Sequence, residues 1–317
     1  MAGRALTLLR VGSFWSRTLP LVPLTAVVEA ATARVAPRLM TGKASLLQRN
    51  IERVVRSGGA GFGEVGSGEA GSGEAGSGEL DAAAAMRRGF ASYGRYWVEF
   101  FRLPHLTDRQ IDRGFSFVGY DKIEEVRAAG YGPILVLPHL GGWEWAAAWL
   151  GRIAKVEVTA VVERLEPEEV YSWFARLRQA IGVEVVPLGP GAMTDLQAAV
   201  RRGSVICLLA DRDIGNTGVE VDFFGETTTL PAGPAMLSRR TGSPVMPVAV
   251  FFRGRQRICI VGDAIWPEEW NDPSVPGRER TARVTQLLAT RLEALISQAP
   301  EQWHLLEANW PSDRSTG

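Results

Sequence analysis

Residues 133–154 read PILVLPHLGGWEWAAAWLGRIA. The opening apolar run is bounded by Pro133 and Pro138 and is the right length for one buried strand. From Trp143 onward the tryptophans, alanines and leucine recur at helical spacing. Between the two lie Gly141 and Gly142, which supply the backbone freedom for a sharp change of direction. Strand, glycine turn and helix make one unit of a layered α/β architecture, and the fold class follows if that unit repeats.

It does repeat. VEVTAVVE (156–163), VEVVPL (183–188) and SVICLLA (204–210) read as strands. PEEVYSWFARLRQAIG (167–182) and MTDLQAAVRRG (193–203) read as the helices between them. GPAMLSRRTG (233–242) predicts a helix with a glycine stop, PVMPVAVFF (244–252) and RICIVGDAI (257–265) two more strands, and TARVTQLLATRLEALISQAP (281–300) a long amphipathic helix. The expected fold is α/β and layered: a mostly parallel central sheet flanked by helices, with an amino-terminal helical region that associates with membranes. In such sheets ligands sit beyond the carboxyl ends of the strands.

The chain has 317 residues, 46% apolar and 22% charged, with a formal net charge of zero. That is a globular profile, without the basic excess expected of a nucleic-acid partner. Cys207 and Cys259 both lie in strand-like runs and read as buried thiols in a reducing compartment; neither has metal-ligand spacing. The charge is unevenly spread. Residues 1–56 hold nine arginines and lysines against Glu29 and Glu52, the composition of an arm lying on an anionic membrane surface, or else of a solvated helix face. TLPLVPLTAVVEAA (18–31) is the most apolar stretch there, but Pro20 and Pro23 interrupt it, and it is too short to span a bilayer. The ATA at 31–33 is compatible with a signal-peptide cleavage site, but the helical pattern runs through it. Residues 57–79, rich in Gly, Ser and Glu, cannot bury enough surface to offset ordering entropy and predict a flexible insert. Three regions follow: 1–56 basic and helical, 57–79 the insert, 80–317 the main domain.

His139 stands at the carboxyl end of the 133–138 strand, five positions before Glu144. On one continuous helix the two would be ~140° apart, so they meet only if His139 lies on the loop before the helix. Glu144 then accepts a hydrogen bond from one ring nitrogen and leaves the other free to take a proton. No serine or cysteine stands beside them, which makes a substrate hydroxyl the nucleophile. The same two residues also suit a plain helix-start histidine and a glutamate favoured by the helix dipole. A second strand end carries Asp211, Arg212 and Asp213. Consecutive side chains diverge, so a structural ion-pair knot is expected there and no metal.

With LPHLGGWEWAAAW, VVERLEPEEVYSWFARLRQAIG, LLADRDIGNTGVEVDFFGE, LPAGPAMLSRRTGSPVMPV and PEQWHLLEANWP in that order, the chain resembles the bacterial lysophospholipid acyltransferase superfamily. The resemblance covers residues 80–311. It falls in the branch of the lipid A late acyltransferases, near the actinobacterial phosphatidylinositol mannoside acyltransferases. It implies a peripheral enzyme on the cytoplasmic face of the inner membrane, with acyl-CoA as co-substrate and no bound cofactor. Its partners would be a mannosylated phosphatidylinositol and the anionic membrane surface. His139 would take the proton of a mannose hydroxyl, Glu144 would orient the ring, and Asp211 would occupy the family's second acidic position near the acceptor sugar. Arg178 is the candidate for the coenzyme A phosphates, though it equally suits a surface helix. Thr217 and the Arg239–Arg240 pair are lesser candidates, and Asp213, Glu163 and Arg164 are further substrate-binding ones, the last two equally readable as an exposed ion pair. Trp145 and Trp149 would wall an acyl tunnel or belong to the core. Other acceptors, a lipid A-like glycolipid or a lysophospholipid, fit the same residues. A non-catalytic lipid-binding scaffold is opposed by the intact His139 and Glu144, and a hydrolase by the absence of a Gly-x-Ser-x-Gly elbow.

Overall fold

In the computed structural model, which describes residues 2–58, 81–215 and 217–314, the run Ile134–Leu137 is a strand with every residue buried. Its side chains alternate between two cores. Ile134 and Val136 join the cluster that contains Phe223, Leu288, Trp303 and Trp310. Leu135 and Leu137 join the opposite one, with Trp143, Trp145, Leu150 and Phe252. A strand apolar throughout is what a sheet covered on both faces requires.

Three helices come first, α1 (Ala2–Thr18), α2 (Leu21–Leu39) and α3 (Thr41–Arg56), then the long α4 (Ala82–Arg102). A short α5 (Asp108–Gly114), β1 (Phe115–Val118) and α6 (Tyr120–Ala128) lead to β2 (Ile134–Leu137) and α7 (Trp143–Arg152). Strands and helices then alternate: β3 (Val158–Val162), α8 (Glu168–Gln179), β4 (Val183–Pro187), α9 (Ala192–Arg201) and β5 (Val205–Leu209). The hairpin of β6 (Val219–Phe223) and β7 (Glu226–Leu230) precedes α10 (Gly233–Thr241), β8 (Val245–Arg253), β9 (Gln256–Val261), α11 (Gly277–Ile296) and the short α12 (Pro311–Arg314).

The main sheet runs β1-β9-β8-β2-β5-β3-β4. Every neighbouring pair is parallel except β8 and β9, which form an antiparallel hairpin. The fold is thus mixed α/β with a mostly parallel sheet flanked by helices, as the alternation predicts. The run after the FFGE turn forms β7, paired with β6 around a two-residue turn. Phe224 and Gly225 there have φ of 54° and 72°, the left-handed pair that matches strand twist in a hairpin, and the β-branched threonines of ETTTL suit the second strand.

The amino-terminal helices are present. α3 buries Leu47 and Ile51 against Ala85, Phe90 and Leu306, each worth ~1.5–3 kcal/mol relative to exposure. α1 sets Leu6 and Leu9 against Phe100, Phe101, Val170 and Phe174. Elsewhere on α1 and α2, Val11, Phe14, Trp15, Val22, Val27, Val35 and Leu39 are exposed. No described helix is long and apolar enough to cross a membrane. From residue 59 on, the expected Gly/Ser/Glu insert lies outside the described residues.

Candidate active site

The register of two adjacent strands builds the site. β2 and β5 are parallel, with Leu137 opposite Leu209, and the ladder continues one step as Ala210 N–H donates to Leu137 O at 2.9 Å. Carried two residues past both strand ends, the same register sets His139 beside Asp211. The ring Nδ1 of His139 lies 2.6 Å from Asp211 Oδ1. The His139 backbone N–H donates to Oδ2 at 2.9 Å, and the Trp303 indole Nε1–H to the same oxygen at 2.7 Å. Asp211 is wholly buried, whereas the His139 side chain keeps 32% of its surface open.

Burial alone drives the Asp211 carboxyl up. The charge of a protonated His139, then the hydrogen bonds from that ring, from Trp303 and from the His139 backbone, more than reverse this, and the carboxyl sits below its ordinary range. An ionised carboxylate only accepts, so Nδ1 carries the ring proton in neutral His139 and Nε2 presents its lone pair. Among the described residues no serine or cysteine bonds the ring. The two cysteines are buried and free, and burial pushes the Cys207 thiol up to about 12. Such a pair can serve as a general base with its orienting carboxylate, and among the described residues no protein nucleophile bonds it.

The expected hydrogen bond between His139 and Glu144 is corrected here: the ring's carboxylate partner is Asp211. Glu144 lies in the first turn of α7, inside the helical layer between α4 and α8. Tyr96 O–H donates to its Oε1 at 2.7 Å and Arg178 Nη2 to the same atom at 3.3 Å, while Oε2 has no hydrogen-bond partner among the described residues. Burial raises its carboxyl, against the opposing pull of Arg178, Tyr96 and its own backbone N–H. The cause lies in the topology. A helix starting at Trp143 throws Glu144 into the layer that covers one sheet face, whereas β5 delivers Asp211 directly alongside the histidine.

The other candidates scatter. Arg178 is interior, 15% exposed, with its guanidinium 5.2 Å from the Phe100 ring centre and 5.1 Å from that of Trp143; it is committed to Glu144. Asp213 Oδ2 accepts from Gly218 N–H at 2.8 Å and Thr229 O–H at 2.9 Å, bracing the loop before β6. Glu163 pairs with Arg212 at 3.0 Å, and exposed Arg164 lies 4.0 Å from Glu168. Thr217 is exposed, as is Arg240 in the last turn of α10. Trp145 belongs to the core, donating to buried Glu99 at 3.0 Å beneath Arg257. Trp149 packs with Phe115, Phe117 and Tyr120.

Residues without an assigned role in the sequence complete the surroundings. Trp303 binds Asp211 directly. His304 is half-buried, its Nε2 2.9 Å from Ser92 Oγ and its ring against Tyr93 and Tyr96; loss of hydration, then the nearby His139, pushes it down to about 3. Both lie in PEQWHLLEANWP, and nothing in that run but its tryptophan and histidine hinted at proximity to His139.

Residues 79–312 match the family model described as bacterial lipid A biosynthesis acyltransferase. The phosphatidylinositol mannoside acyltransferase of Mycobacterium tuberculosis (strain ATCC 25618 / H37Rv) is 40% identical over 233 residues, covering 71% of this chain and 69% of that protein. The enzyme of the same name from Mycolicibacterium smegmatis (strain ATCC 700084 / mc(2)155) is 38% identical, with 73% of each chain covered.

Proposed function

This chain belongs to the bacterial lipid A biosynthesis acyltransferase family and is an O-acyltransferase, and we propose that it moves a fatty acyl group from acyl-CoA to a mannose hydroxyl of a phosphatidylinositol mannoside. The observation that carries the mechanism is a part-exposed histidine whose Nδ1 is held by a buried carboxylate, which leaves Nε2 without a hydrogen-bond partner among the described residues. Nε2 takes the proton of the sugar hydroxyl as its oxygen attacks the thioester carbonyl. The tetrahedral intermediate then collapses, the carbon–sulfur bond breaks, and the imidazolium returns its proton to the departing coenzyme A thiolate. The products are an acylated mannose and free coenzyme A.

Asp211 serves as the orienting anion in this scheme. It fixes the tautomer and steadies the imidazolium, as the buried aspartate does in a Ser-His-Asp triad. The acceptor identity rests on the names of the relatives. The amino-terminal helices supply the approach to a lipid substrate: exposed Phe14, Trp15 and Val22 beside Arg10 and Arg17 combine apolar insertion with attraction to anionic headgroups.

The test is product analysis by mass spectrometry. Purified enzyme is offered a panel of acyl-CoAs with mannosylated inositol lipids, a lipid A precursor and a lysophospholipid. Acylated mannoside formed by the wild type and lost in His139→Ala supports the proposal. Transfer confined to one of the other acceptors overturns the substrate assignment, and undiminished turnover by His139→Ala overturns the mechanism.

A further inference from the structure

The loop that presents His139 is not held by its own turn alone. An irregular segment near the carboxyl end of the chain runs along it. Gly141 N–H donates to Gln302 O at 2.9 Å, and His304 N–H to His139 O at 2.7 Å. Leu140 and Trp303 make an isolated antiparallel bridge between these contacts. The same segment then reaches the other member of the pair twice. The Trp303 indole binds Asp211 Oδ2 at 2.7 Å, and the Asn309 carboxamide Nδ2 donates to Asp211 O at 3.1 Å. The segment is itself anchored from outside: Asp313 Oδ2 accepts from the backbone of Asn309 and Trp310, both at 3.2 Å. Arg53 of α3 grips Asp313 at 2.8 Å, and Asn50 donates to Leu305 O at 2.9 Å.

We propose that residues 302–309 form the positioning element of the His139–Asp211 pair, with Trp303 and Asn309 acting through Asp211 on the orientation of the imidazole. The inference rests on the reading of that pair as the base and its orienting carboxylate. Its physical content is twofold. Asp211 is wholly buried, so its charge must be met by donors, and the indole is the one that comes from outside the histidine. The bonds to the 139–141 backbone fix the height of the ring above the strand end, where a misplacement of ~1 Å costs about a hundredfold in rate. Trp303 and Asn309 touch neither reacting atom and are positioning residues. Among the described residues, Asp211 feels the charge of His139, and His304, which burial keeps neutral, feels both.

Trp303→Phe removes the indole donor and keeps most of the ring volume. A carboxylate with one donor fewer has more of its charge to spend on the imidazolium, so the acid limb of the rate profile moves to higher pH. The expected result is a kcat lower by about tenfold to a hundredfold, an acid limb displaced upward by about half a unit or more, and a KM for acyl-CoA within about twofold of wild type. Trp310→Phe is the control. It removes an indole from the same aromatic cluster, but one that donates to Phe223 O rather than to Asp211; its stability falls while its pH profile stays in place. If Trp303→Phe is recovered only unfolded, Asn309→Ser, which frees the Asp211 backbone carbonyl and leaves the carboxylate donors in place, is read on kcat, expected lower by about tenfold. Wild-type kcat and an unmoved acid limb in the folded variant overturn the inference, as does an equal displacement in Trp310→Phe. If His139→Ala is inactive while Trp303→Phe behaves as wild type, only the positioning role falls. If His139→Ala stays active, the reading of the site falls first.

Discussion

Asp211→Asn is the perturbation that most directly probes the pair. The substitution preserves shape, and one amide oxygen can still meet the two donors that converge on Oδ2, the His139 backbone N–H at 2.9 Å and the Trp303 indole at 2.7 Å. That fixes the amide orientation and turns an NH2 toward His139 Nδ1, which stands 2.6 Å from the other oxygen. Two N–H groups cannot share that contact, so the imidazole adopts the tautomer protonated at Nε2. The atom that must accept the hydroxyl proton is then already occupied. In histidine–aspartate catalysis this wrong-tautomer penalty is about 10⁴ in kcat, or about 5 kcal/mol of barrier. The assay is initial-rate transfer of labelled acyl groups from acyl-CoA at saturating acceptor, with thermal unfolding measured in parallel. A folded Asp211→Asn enzyme retaining a tenth or more of wild-type kcat would refute the assignment of the orienting role.

Further outcomes are expected at four places. Glu144→Gln keeps the Tyr96 hydrogen bond but leaves the buried Arg178 without its counter-ion, so it is expected to lose ~2–4 kcal/mol of stability and less kcat than Asp211→Asn; denaturant midpoints and rates on both variants check this. His304, pushed down to about 3 by burial, stays neutral in the folded protein while the unfolded chain protonates near 6.5. Stability is therefore retained above about pH 6.5 and declines as the pH falls toward 3, and His304→Gln flattens that decline in melting curves taken against pH. Arg53→Leu removes the nearer of two arginines on Asp313, which is wholly buried in its side chain, and leaves Arg49 at 3.5 Å; a loss of ~3 kcal/mol in urea unfolding is expected, and a loss under 1 kcal/mol contradicts it. Trp15→Glu, on the exposed face of α1, is expected to weaken flotation with anionic vesicles most clearly at low salt, and flotation equal to wild type counts against membrane contact through that face.

The sequence carried the layers well and the pairing poorly. Ile134–Leu137 is legible because a short apolar run between prolines has few alternatives. The α7 start is legible because Gly141 breaks the pattern, and it adopts a φ of 58° where a Cβ would come within 2.0 Å of Val250 O. What periodicity cannot supply is strand order. β2 and β5 are neighbours although β3 and β4 lie between them in the chain, and the histidine's carboxylate stands 72 residues away. A reading along the chain therefore favours the acid five residues on. The hairpin of β6 and β7 escaped for a related reason: its second strand is short and threonine-rich, and its buried positions are recognised only once β6 lies alongside.

Asp211, beside His139 in space, and Glu144, five residues along the chain, are set apart by the company each keeps. Asp211 gathers three N–H donors on two oxygens, and its carboxyl is lowered although wholly buried. Glu144 has a phenol and one distant guanidinium on a single oxygen, and its carboxyl is raised. Environments that push paired acids in opposite directions assign them different work. The anion that stays charged through the cycle without reorganisation is the one able to steady a transient imidazolium. Glu144, with Tyr96 and Arg178 on its Oε1, ties α4, α7 and α8 together. Spacing in the chain nominated Glu144. The number of donors each acid can recruit, which only the sheet register reveals, favours Asp211.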